Sequence, residues 1–76
     1  MPQLQQRYFD VLIDHVRVDK YPSHQMLDWV EAAIATPDQI AEYVDLLVDN
    51  VQATHYPSYQ MLERIQRMMM LGARAA

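Results

Sequence analysis

The chain has 76 residues, 51% of them hydrophobic, with no cysteine and a net charge of −4 from six Lys and Arg against ten Asp and Glu. A chain this short is one small domain that buries only about 60–65% of its unfolded surface. The lack of cysteine excludes disulfide staples and thiolate metal sites, and the acidic balance disfavours phosphate backbones and anionic lipid. No apolar run approaches the roughly 20 residues that a membrane span requires, and no basic patch followed by an apolar run opens the sequence, so a cytoplasmic location is expected.

The first predicted helix covers residues 2–18, opened by Pro2, which loses nothing at a first helical position by lacking an N–H. At 100° per residue, Leu4, Tyr8, Phe9, Val11, Leu12, Ile13, Val16 and Val18 spread over an arc of roughly 240°. A helix on the outside of a bundle needs little more than 100° of apolar surface, so this one is expected to lie centrally, sandwiched between neighbours or between subunits. Asp10 and Asp14 fall on the remaining polar strip, flanked by Arg7 and Arg17. His15 falls inside the apolar arc, where an unpaired polar group costs roughly 1–3 kcal/mol, so a buried hydrogen bond is expected for it.

The phrase Tyr21-Pro22-Ser23-His24-Gln25-Met26-Leu27 then starts a second helix over about 24–35. Pro22 holds Tyr21 extended and stops the preceding helix. Ser23 is the N-cap, and Leu27 at the fourth helical position can staple against Pro22 or Tyr21. Its apolar stripe is narrower: Met26, Leu27, Val30, Ala33 and Ile34, with Trp29 at the edge. Thr36-Pro37-Asp38-Gln39 begins a third helix over 37–53, with Thr36 as cap, Pro37 at the first position and Gln39 placed to reach back as in a capping box. Ile40, Tyr43, Val44, Leu46, Leu47, Val48 and Val51 span roughly 200° of its circumference. Asp45 and Asp49 lie on its polar strip beside Glu42, and Asn50 occupies the place that His15 has in the first helix. Tyr56-Pro57-Ser58-Tyr59-Gln60-Met61-Leu62 starts the fourth helix, read as 59–71 with Gly72 closing it and 72–76 a flexible tail. Its stripe is Met61, Leu62, Ile65, Met68 and Met69, while Met70 and Leu71 fall on the side of Glu63 and Arg67.

The two phrases lie 35 positions apart, and laying residues 2–35 over 37–70 gives 12 identities in 34 positions. One helical hairpin is therefore written twice, repeat 1 at 2–35 and repeat 2 at 37–70. Two hairpins are too few for an open solenoid, so the expectation is an all-α single domain, a compact four-helix bundle closed about a pseudo-two-fold axis. The period is similar in length to those of tetratricopeptide and pentatricopeptide arrays. The Trp, Leu-Gly, Tyr and Ala pattern of the former is missing, and the resemblance carries no functional residue to this chain.

Chemistry-bearing patterns are sparse. The Asp-x-x-x-Asp pairs, Asp10/Asp14 and Asp45/Asp49, lack the Glu-x-x-His partners of a di-metal bundle. His24 and His55 sit at different repeat positions, and the single glycine leaves no loop to cradle a phosphate or build an oxyanion hole. No catalytic residue, cofactor or metal site is expected. The sequence points to a non-enzymatic interaction module (an adaptor, accessory or regulatory subunit) that forms a homodimer and binds a larger protein. Contact candidates are Trp29, Met68, Met69, Met70 and Leu71, since adaptable methionines and rim aromatics suit binding surfaces. A docking strip for a basic partner would be Asp10, Asp14, Glu42, Asp45 and Asp49. One alternative is a DNA-associated regulator reading duplex with helix 59–71, through Arg64 and Arg67. Another is a metal- or ligand-binding bundle.

Overall fold

A computed structural model describes residues 2–19 and 21–75. The fold is all-α, with four helices in two tandem hairpins: α1 (Pro2–Val18), α2 (His24–Ala33), α3 (Pro37–Ala53) and α4 (Tyr59–Ala75). The chain divides into two compact units, Met1–Ala35 and Thr36–Ala76, at the boundary between the repeats. In the first α1 packs on α2, and in the second α3 packs on α4.

Helix starts follow the capping chemistry. The Ser23 hydroxyl accepts the Met26 amide at 3.1 Å, Ser58 accepts that of Met61 at 3.1 Å, and Thr36 accepts that of Gln39 at 3.2 Å. Each bond satisfies one of the amides that a helix start leaves without an intrahelical partner. Replacing Ser23 or Ser58 by Ala is expected to cost about 1 kcal/mol, and by Gly only a few tenths. Urea titrations followed by circular dichroism check this, and a loss of the same size for Gly as for Ala would contradict the capping role.

Helix ends differ between the repeats. Thr36 is extended (φ −134°, ψ 156°), as a residue before proline must be, so α2 stops at Ala33 after ten residues. No proline interrupts α4, which runs 17 residues to Ala75. The expected stop at Gly72 is therefore corrected. Gly72 has no positive φ, the conformation a left-handed C-terminal cap would need. Its smallness matters for packing instead: a Cβ there would meet Ile40 Cγ2 at 3.3 Å, tighter than ordinary contact. Ala73, Arg74 and Ala75 are good helix formers and carry α4 onward. The stretch expected to be a flexible tail, 72–76, is thus helical through Ala75, and Ala76 lies outside the described residues.

The hairpins also differ in helix length. At 1.5 Å per residue, α2 is about 15 Å long beside an α1 of about 25 Å, whereas α4 matches α3. Phe9, Leu12, Ile13 and Val16 of α1 and Leu27 and Val30 of α2 are buried; the Gln5 side-chain amide donates to the Ala33 carbonyl, tying the end of α2 to α1. In the second unit Gln39, Ile40, Tyr43, Leu46, Leu47, Met61, Arg64 and Met68 are buried. No buried side-chain nitrogen or oxygen among the described residues lacks a hydrogen-bond partner, so Gln39 and Arg64 are tolerated inside.

Candidate functional site

The feature that stands apart from a packed helical hairpin is on α1. Leu4, Tyr8 and Val11 are 55%, 54% and 52% exposed and Val18 is 84% exposed, although the wheel places all four within the apolar arc. Their repeat counterparts Gln39, Tyr43 and Leu46 are buried at 2%, 0% and 6%. Within one chain α1 is covered on one side: one apolar face is buried and the other, turned by roughly 130°, is open, so cover by neighbouring helices of the same chain is not what this face receives. Full burial of such an aliphatic side chain contributes about 1.5–3 kcal/mol, of which half-exposed Leu4 and Val11 forgo roughly half. A stripe of this kind is a binding surface or a solubility liability.

Two shallow hollows lie along this face. One, of about 270 Å³, is lined by Tyr8, Trp29, Ala32 and Ala33. Trp29 is half-exposed at its rim, the place expected for it at the edge of the α2 stripe. The hollow has a simple origin in the repeat: Ala33 stands where α4 carries the buried Met68, and Trp29 where α4 carries the buried Arg64. The second, of about 330 Å³, is lined by Val11, Asp14, His15 and Val18. His15 is exposed here, which corrects the expected buried hydrogen bond, because the face it shares is not covered.

The C-terminal candidates divide. Met68 is buried in the second hairpin and drops out as a contact residue, whereas Met69, Met70 and Leu71 are exposed. All five acidic candidates (Asp10, Asp14, Glu42, Asp45 and Asp49) are exposed, and Asp10 accepts a 2.8 Å bond from Gln6 one turn away. The repeated tyrosines do not pack at the helix starts as expected: Tyr21 and Tyr56 are largely exposed. The Tyr21 amide donates to Asp19 Oδ1 at 3.0 Å in the first turn, and Tyr56 has only an edge-on contact with His55, with centroids 6.3 Å apart. Lys20, the repeat counterpart of His55, lies outside the described residues.

Among the described residues no group of three or more His, Cys, Asp or Glu side chains is arranged to hold a metal ion. The Ser23 and Ser58 hydroxyls are engaged as caps. Among the described residues no helix is long and apolar enough to cross a membrane. What the molecule presents is an apolar face. Comparison with protein-family models, characterised proteins and solved structures gives no match.

Leu4, Tyr8, Val11 and Val18 read as core in the sequence, and hydropathy could not have separated them from Phe9 or Leu12. The usable signal lies in the repeat itself: Trp29 and Ala33 stand where the second hairpin has Arg64 and Met68.

Proposed function

We propose that the chain is a non-enzymatic protein-interaction module, a small adaptor or accessory subunit that uses its uncovered apolar surfaces to hold a larger protein. One observation carries this reading: the α1 face of Leu4, Tyr8 and Val11 is open where the duplicate face of α3 is closed. Exposed Met69, Met70 and Leu71 add a second adhesive edge whose flexible thioethers adapt to irregular partners. The exposed carboxylate of Asp14 borders the α1 surface with negative charge and favours a partner with a basic rim.

The DNA-reading alternative is weakened by Arg64, which is buried, leaving Arg67 and Arg74 with the exposed Glu63 on α4. A chain of net charge −4 has little else with which to displace counterions from a duplex.

A photo-crosslinking amino acid placed at Trp29 or Met70, with Asp49 as the control, tests the module reading in native lysate. The expected outcome is a discrete protein adduct from position 70 or 29 that unlabelled chain competes away. Adducts no different from those at position 49 would refute it.

A further inference from the structure

The exposed positions of α1 follow a pattern that names an occupant for that face. Leu4, Tyr8, Val11, His15 and Val18 are spaced 4, 3, 4 and 3 residues apart, the a/d spacing of a coiled-coil seam. The seam is about 21 Å long at 1.5 Å per residue. Arg7 and Asp14 are both exposed and hold the same heptad position on the same edge of the seam, one heptad apart. Asp14 borders the seam directly, lining the hollow with Val11, His15 and Val18.

We propose that α1 pairs with α1 of a second copy, antiparallel, about a two-fold axis near Val11. This rests on the reading of the chain as an interaction module and assigns one of its two surfaces, leaving the α4 methionines for the larger partner. The orientation follows from symmetry. A two-fold axis perpendicular to two antiparallel helices returns each edge of the seam to the same edge of its mate, so equivalent heptad positions flank one another. Leu4 then faces Val18 of the other copy. Arg7 comes within one residue's rise of Asp14 of the other copy, and the pair forms twice. The hollow beside Asp14, at about 330 Å³, is open to receive that arginine. Parallel pairing would instead set Arg7 and Asp14 against the opposite edge, where Leu12 is buried and Gln5 is tied to α2, and would make neither ion pair.

The size of the surface sets the strength. Tyr8 and Trp29 keep about half of side chains that bury roughly 150–250 Å² each, and with the exposed parts of Leu4, Val11 and Val18 the pair of copies would cover on the order of 1,000 Å², the low end for a specific interface. A reversible dimer with a micromolar dissociation constant is the corresponding expectation.

Sedimentation equilibrium on the purified chain and two variants tests this. Arg7→Asp carries two acids at these positions and Asp14→Arg two bases, so each alone should dimerise at least tenfold more weakly than the parent. Mixed in equal amounts, the two should recover a heterodimer of parental strength, a result that loss of folding cannot mimic; circular dichroism of each variant confirms intact helices. A parent chain that stays monomeric at several hundred micromolar, or a mixture no stronger than its components, overturns the pairing. The module reading fails separately: it falls if crosslinking at positions 29 and 70 captures nothing, and it survives if position 70 captures another protein while the chain sediments as a monomer.

Discussion

Replacing Tyr43 by Ala is expected to cost 3–5 kcal/mol, while the same change at Tyr8 costs about 1 kcal/mol or less. The two tyrosines occupy one repeat position on helices that align without a gap, yet Tyr43 is fully buried and Tyr8 is half-exposed. Truncating Tyr43 empties a ring's volume among side chains that cannot collapse around it; truncating Tyr8 removes a ring already in water on one side. A chain of this length has a total stability of roughly 4–11 kcal/mol, so the Tyr43 variant loses a large share of it. Thermal melts of both variants decide the matter, with Tyr43→Phe as a control that keeps the ring and removes only the hydroxyl. Equal losses at positions 8 and 43 would show that the α1 face is covered after all, and the interaction surface would lose its basis.

Most of the architecture was legible because it rests on local chemistry. Ser23, Thr36 and Ser58 each cap the helix that follows them, and both long helices α1 and α3 begin and end at the expected residues, 2–18 and 37–53. These features depend on neighbours within a few positions, which a sequence states directly. Coverage is different. Periodicity identifies the apolar side chains of α1 but not which of them another helix reaches, and that depends on which face of α2 turns inward and on the bulk of its side chains. Ala33 and Met68 hold one repeat position and produce opposite results, an open hollow in the first hairpin and a filled core in the second. The same limit applies to Met68, whose place on the α4 stripe is legible in the sequence while its burial is not.

A difference at one position propagates through the pair of helices. In the second hairpin the buried faces of both helices are turned by about 90–100°, close to one residue step, relative to those of the first. On α4 the interior face is Met61, Arg64 and Met68; on α2 it is Leu27 and Val30. Long, unbranched side chains at 61, 64 and 68 can fill the space along this rotated face, and the Met thioethers adapt to it without strain. Their counterparts Met26, Trp29 and Ala33 offer one small residue and one ring too wide to enter, so α2 turns its leucine inward instead. Gly72 fixes the arrangement at the far end of the second hairpin by letting α4 approach Ile40 closely.

The repeated phrase supplies the sharpest test of that rotation. Leu27 and Leu62 are the same residue in the same seven-residue context, each at the fourth position of a Ser-capped helix. Leu27 is fully buried and Leu62 is 37% exposed, whereas Met61 is buried and its counterpart Met26 only half-buried. Leu27→Ala should therefore cost about 2–5 kcal/mol and Leu62→Ala about 1 kcal/mol. The adjacent methionines should reverse the order, with Met61→Ala more damaging than Met26→Ala. Four urea titrations with comparable slopes measure this directly, because an unchanged slope shows that each substitution altered stability rather than the compactness of the unfolded chain. If Leu27 and Leu62 were equally costly, identical sequence would mean identical packing, and the first hairpin would have no spare apolar face to offer. The reversal at 26/61 is the stricter requirement, since general fragility of one hairpin would raise both costs there together and could not exchange the ranks of neighbouring residues.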